Sequence, residues 1–186
     1  MESQVTVITA TMLPERADVL AECLASVAAQ TVKPAEHLVA VDYIRTGGAR
    51  VYNSLAESVV TDWTAILPDD DIAYPEHLET LLAHSGGAEV VYSYCDVTGD
   101  NPWLAYNQPF NADALRRTSV VSHVAMIRTD FLLDIGGWDE VKGYDWLLWV
   151  KALDRGARFV SVPVRTWRYR LETDWKHESR PWAGGQ

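Results

Sequence analysis

The chain is poor in cysteine, in positive charge and in long apolar runs. Two cysteines, Cys23 and Cys95, occur in 186 residues, and neither has a partner at metal-ligand spacing. Nothing calls for a disulfide. Cys23 falls on the apolar side of a helical pattern, where a free thiol packs as a small hydrophobe. Lys and Arg number 16 against 26 Asp and Glu, a formal net charge of −10. That balance argues against a general nucleic-acid grip, which draws on clustered cations. No apolar stretch approaches the roughly 18 residues that would suggest a membrane span. Met1-Glu2-Ser3-Gln4 lacks a basic region followed by an apolar core, so no signal peptide is expected. The expectation is a cytoplasmic, reduced, soluble protein. Repeats, linkers and low-complexity segments are also missing.

What is present is a 48% hydrophobic composition, enough for one domain with a substantial core. The stretch that organises the rest is Thr64-Ala65-Ile66-Leu67-Pro68-Asp69-Asp70-Asp71-Ile72. An apolar run ends in three carboxylates side by side. Like charges repel, and burying them uncompensated is costly. Two readings stand. One is a solvated turn, since Asp favours turns and caps. The other is a divalent-cation site at the carboxyl end of a strand, where open α/β sheets hold ligands.

Around it the chain alternates. Residues 5–10 are β-branched and read as a buried strand. Val19, Leu20, Cys23, Leu24, Val27 and Ala28 form a helical stripe. A second strand, residues 37–42, ends on Asp42. A helix over 49–60, a strand over 63–67, a helix opened by Pro75 and a strand over 89–95 follow. This succession predicts an α/β sheet with helices on both faces. Residues 97–111 break it and read as a substrate-facing loop. Further on, 120–127 reads as a strand, 129–135 as a short helix and 146–155, after Gly143-Tyr144-Asp145, as an amphipathic helix. Residues 158–164 read as a strand that continues, extended and bent, to 171. Trp146 and Trp149 have core spacing. Trp103, Trp175 and Trp182 lie in irregular segments and suit a ligand platform or lid.

Four segments, in order, resemble family 2 glycosyltransferases. The first is residues 5–11 with Leu24-Ala25-Ser26-Val27-Ala28-Ala29-Gln30-Thr31. The second is Val39-Ala40-Val41-Asp42. The third runs from Gly48 through Asn53 to Leu67-Pro68-Asp69-Asp70-Asp71, similar to the family's acidic D-x-D signature. The fourth comprises Gly136-Gly137-Trp138-Asp139-Glu140, Tyr144-Asp145-Trp146-Leu147-Leu148-Trp149 and Trp167-Arg168-Tyr169-Arg170. There are departures: Pro68 and Tyr144 stand where the family often has Asp and Glu. The family's late His is out of register, with Glu172 in its place and His177 further on.

The resemblance implies a GT-A fold, a mixed and mainly parallel sheet flanked by helices in one domain, residues 1–171. Residues 172–186 are then a tail able to fold over the site. It also implies a hexosyltransferase-like enzyme that inverts the anomeric centre, uses Mn2+ or Mg2+, and takes a nucleotide-sugar donor with UDP favoured. The hydroxyl acceptor is open: glycan, lipid, protein or modified base. Asp71 is the most direct metal ligand, with Asp69 beside it and His177 completing the shell if the tail folds back. Asp69 or Asp70 would touch the sugar, the ribose or a metal-bound water. Asp42 would bind the base; Thr9, Ala10 and Thr11 would line base and ribose. Arg16 either binds phosphate or starts its helix; Arg50 and Asn53 lie on the helix facing the site, unless Asn53 is only a local cap; and Arg168 and Arg170 pair either with the diphosphate or with the acidic cluster. Asp145 is the candidate general base, because the attacking hydroxyl must lose its proton. His123, on an apolar run, reads as a satisfied core or pocket histidine. A nucleotidyltransferase would have a glycine-rich loop after the first strand, and residues 9–16 have none. A non-catalytic nucleotide-sugar or glycan-binding module on the same fold is the alternative.

Overall fold

The computed structural model describes residues 4–98 and 106–170. The opening β-branched run forms β1 (Val5–Thr11), and α1 (Ala17–Ala28) carries the chain over to β2 (Glu36–Val41). α2 (Gly48–Ala56) leads to β3 (Trp63–Ile66), and then come β4 (Ile72–Ala73), α3 (His77–Ala83) and β5 (Val90–Thr98). The second half adds α4 (Ala112–Leu115), β6 (Ala125–Arg128), α5 (Thr129–Asp134), α6 (Tyr144–Asp154) and β7 (Phe159–Arg170).

The described strands form one sheet in the order β2-β1-β3-β6-β5-β7-β4. β1 pairs in parallel with β2 and β3, and β5 in parallel with β7. β6 runs antiparallel between β3 and β5, and β4 antiparallel to β7. The carboxyl ends of β1, β2 and β3 therefore open on one edge, the position at which such sheets receive ligands. Side-chain alternation along β1 divides the core. Val5 and Val7 pack with Cys23 and Val27 of α1 and Leu78 and Leu81 of α3. Ile8 packs on the other face with Tyr52 and Leu55 of α2 and Leu148 and Trp149 of α6. Helices thus cover both faces, as the alternation predicts. No helix among the described residues is long and apolar enough to cross a membrane.

Several boundaries differ from the sequence reading, each for a physical reason. Val120, Val121 and Val124 are buried, but the strand starts only at Ala125. Ser122 interrupts the run: its hydroxyl donates to Val124 O at 2.7 Å and its carbonyl takes the Trp149 indole at 3.1 Å. β7 continues through Pro163 without ending. Its register against β5 slips between Ser93 and Cys95, so the residue without an N–H falls at an irregularity. β5 reaches into the expected loop, and Asn107 then binds both Cys95 N and Cys95 O at 2.8 Å, holding the returning chain against β5. Trp149 is fully buried, while Trp146 is partly buried with its indole on Leu115 O at 2.7 Å. Trp103, Trp175, Trp182 and the tail 172–186 lie outside the described residues.

A buried polar chain runs from His77 to the Thr166 hydroxyl (2.7 Å) and on to Ser93 (2.5 Å). Burial pushes the His77 imidazole from 6.5 down to about 4. Between those values the unfolded chain binds a proton that the folded one refuses, so stability is lost as pH falls from 6.5 towards 4. The slope for one proton is about 1.4 kcal/mol per pH unit. Asp69, raised to about 6, has the opposite sign in that window. Comparison with His77→Phe isolates the histidine: denaturant titrations across pH 4–7 should show a shallower acid loss in the variant. Equal slopes would refute the assignment.

Candidate active site

β3 delivers Asp69, Asp70 and Asp71 to the open edge, and all three are buried, at 3%, 5% and 2% exposure. The solvated-turn reading of the acidic run does not hold. Two arginines compensate the charge. Arg16 Nη2 lies 2.7 Å from Asp69 Oδ1 and 2.9 Å from Asp70 Oδ2. From the end of β7, Arg170 N donates to Asp71 Oδ1 and Arg170 Nε to Asp70 O, both at 3.2 Å. Arg170 Nη2 also donates to Glu22 Oε2 at 2.5 Å, and Arg168 lies 3.6 Å from the same oxygen. Burial still dominates at Asp69. It raises the carboxyl from 3.8 to about 6, against the pull of Arg16 and the nearby Thr11 hydroxyl, with Asp70 raising it further. Asp69 Oδ2 and Thr11 Oγ1 are buried with no partner of full hydrogen-bond geometry among the described residues.

An orphaned carboxylate oxygen beside a second carboxylate is the donor chemistry a hard cation takes. Mg2+ commonly uses one or two carboxylates and completes its shell with phosphate oxygens and water. Asp71 and Asp69 fit that sharing. They do not form a closed cage: among the described residues no group of three or more His, Cys, Asp or Glu side chains is placed to hold a metal ion. His177 lies outside the described residues.

The ends of β1 and β2 border the same edge. The Thr9 hydroxyl donates to Leu67 O at 2.7 Å, tying β1 to the acidic turn, and meets His37 Nε2 at 2.8 Å. Ala10 is partly buried beside it, and Thr11 O accepts Asp42 N at 2.8 Å. Asp42 caps its own loop. Its oxygens accept Thr46 N (2.7 Å), the Thr46 hydroxyl (3.0 Å) and Gly47 N (2.8 Å). Partial burial would raise its pKa, but these bonds outweigh that and hold it below the usual value.

Arg50 and Asn53 are both engaged by protein groups. The Asn53 amide exchanges two hydrogen bonds with Trp138, Nδ2 to O and N to Oδ1, both at 2.8 Å. Arg50, one turn earlier, forks onto Glu140 through two bonds of 3.1 Å. The pair clasps α2 to the Gly136-Gly137-Trp138-Asp139-Glu140 turn, so both polar ends of Asn53 are engaged by protein. The physical reason is geometric: Gly137 has φ +60°, and a Cβ there would lie 2.2 Å from Asn53 Oδ1. Only glycine lets the amide approach.

Asp145 lies in the first turn of α6, partly buried. It is not the cap, which falls on Gly143 in a left-handed conformation, and no side-chain cap bond forms. The charges of Asp145 and Asp70 both act on His123. Those of Asp145 and Asp71 both act on the Tyr106 hydroxyl. His123 is enclosed by Tyr52, Trp138 and Tyr144, with ring centroids at 4.8, 6.0 and 5.8 Å. Trp138 Nε1 donates to its Nε2 at 3.1 Å. Burial brings His123 down to about 4, against both carboxylates, so it is a neutral donor through Nδ1 at ordinary pH. Sequence spacing gave no signal for this enclosure, because its members come from four separate segments.

No family model matches the sequence, and a search of curated proteins found no match. Solved structures do match. S. aureus TarS 1-349 in complex with UDP-GlcNAc gives a TM-score of 0.74 at 15% identity, covering 91% of this chain and 59% of that one. The mannosyltransferase PcManGT from Pyrobaculum calidifontis, in complex with GDP-Man and Mn2+, gives 0.68 at 14% identity, covering 95% and 59%. A second S. aureus TarS structure gives 0.72 at 16%, with 90% of this chain on 37% of that one. The chain thus spans about three-fifths or less of the proteins it matches. At these identities the likeness is one of fold, and the fold is the mixed α/β GT-A type.

Proposed function

We propose that the chain is a family 2 glycosyltransferase: an inverting, metal-dependent enzyme that moves a sugar from a nucleotide-diphospho-sugar, UDP-sugar favoured, to a hydroxyl acceptor. The observation that carries the reading is the buried acidic run, with an orphaned oxygen on Asp69, at the carboxyl ends of β1 and β3. The matched fold supports it, because proteins of that fold have been solved with UDP-GlcNAc and with GDP-Man and Mn2+. Mn2+ or Mg2+ shared by Asp71 and Asp69 would neutralise charge on the diphosphate leaving group. Asp145 removes the proton of the acceptor hydroxyl as its oxygen bonds to the anomeric carbon. The bond from that carbon to the diphosphate oxygen breaks on the opposite side, which inverts the centre. The walls of the base and ribose site are the ends of β1 and β2, where Thr9, Ala10, Thr11 and Asp42 stand.

Isothermal calorimetry with UDP and GDP, with and without Mn2+, tests the reading. UDP should bind at least about tenfold tighter with the cation, a gain of 1.4 kcal/mol or more. Equal affinities would sink the metal-dependent mechanism. One observation favours the non-catalytic module: Arg16 already pairs with two of the three aspartates. Release of free nucleotide diphosphate from UDP-sugars separates the two, since a module binds without turnover.

A further inference from the structure

Arg16 is the residue that the donor-site reading leaves unexplained. It precedes the first residue of α1, and its backbone is fixed by Arg16 N to Met12 O at 3.1 Å and Leu20 N to Arg16 O at 3.0 Å. Its long side chain reaches across to the acidic turn, where a single nitrogen, Nη2, serves Asp69 and Asp70 together. The guanidinium side chain is 13% exposed and its partners 5% and 7%, so the contact is largely dry. In such a setting an ion pair is strong, and each partner is costly to leave alone.

We propose that Arg16 is a resident counter-ion, holding the acidic run together until a divalent cation displaces it. This rests on the metal-dependent reading above. Two facts carry it. First, the guanidinium and a hard cation want the same thing, the carboxylate oxygens of Asp69, and a carboxylate has few lone-pair sites to share. Second, the arginine does not use the acids up. Asp69 Oδ2 remains buried with no partner of full hydrogen-bond geometry among the described residues, only the nearby Thr11 hydroxyl, a position into which a cation's ligand sphere extends. Three carboxylates against the guanidinium of Arg16 and that of Arg170, itself shared with Glu22, leave the cluster anionic. A doubly charged ion is therefore drawn in, and the arginine is set free within reach of whatever anion accompanies it. The cation site is in this way kept folded in its absence.

The test is the affinity for Mn2+ alone, measured by calorimetry without nucleotide on wild type, R16Q and R16K. A purely structural arginine predicts weaker metal binding when it is removed, because the acidic turn loses its brace. A displaceable counter-ion predicts the reverse. R16Q should bind Mn2+ about tenfold tighter than wild type, and its melting temperature should rise more on adding Mn2+. R16K keeps a charge but lacks the planar fork, and should bind severalfold tighter; it decides the matter should R16Q not fold. Affinity in the variants equal to or below wild type overturns the proposal. If wild type then still binds UDP more tightly with Mn2+, only the role of Arg16 falls. If neither wild type nor variants bind Mn2+, alone or with UDP, the metal-dependent reading falls with it.

Discussion

Asp145→Asn is expected to lower sugar transfer by about 10²–10⁴-fold, the usual contribution of a positioned general base. Affinity for the nucleotide-sugar should stay nearly unchanged. The substitution is close to isosteric, and the helix start does not depend on the carboxylate. Gly143 occupies the cap position and Asp145 makes no cap bond. Loss of the favourable charge near the helix amino terminus costs about 0.3–1 kcal/mol, too little to unfold a domain. Steady-state kinetics paired with calorimetry for UDP-sugar gives the answer. A drop in affinity as large as the drop in rate would make Asp145 a donor-site or folding residue instead.

Asp71→Asn is expected to remove the effect of Mn2+ on UDP affinity and to lower transfer by about 100-fold or more, the scale of several kcal/mol of leaving-group stabilisation. Asparagine keeps an acceptor oxygen for Arg170 N, which lies 3.2 Å from Asp71 Oδ1. The melting temperature should therefore change little. Retained metal response in this variant would assign the cation to another carboxylate.

The sequence made the parallel opening readable because each element there is local. β1, α1, β2, α2 and β3 have clear periods and short connections, and their order alone implies the crossover. The acidic turn was legible as chemistry, since three carboxylates after an apolar run demand compensation. Part of that compensation was legible, since Arg170 in the Trp-Arg-Tyr-Arg segment was a candidate partner for the acidic cluster and does reach Asp70 and Asp71. The share that Arg16 supplies was not, because no spacing rule links it to residues 69–71. The same limit explains Asn53. An amide that binds a backbone 85 positions away looks, in sequence, like any polar residue on a helix. β4 was missed because two residues carry no period. The apolar run at 120–124 misled for the converse reason: burial without pairing has the same composition as a buried strand.

β6 lies between β3 and β5, with Trp63 opposite Arg128 and Val90 opposite Ile127. Without it the sheet is two separate groups, the parallel β2-β1-β3 and the mixed β5-β7-β4, with no ladder between them. The β5–β7 ladder must moreover join strands about 70 positions apart, a loop closure of the kind that slows folding. The amino-terminal three strands can assemble early from short crossovers, and the rest must wait for distant partners. Asp69–Asp71 come from the early part and Arg170 from the last strand to arrive. During biosynthesis the acidic turn therefore emerges before one of its two cations, and the nascent chain passes through a stage in which those carboxylates depend on Arg16 and water alone.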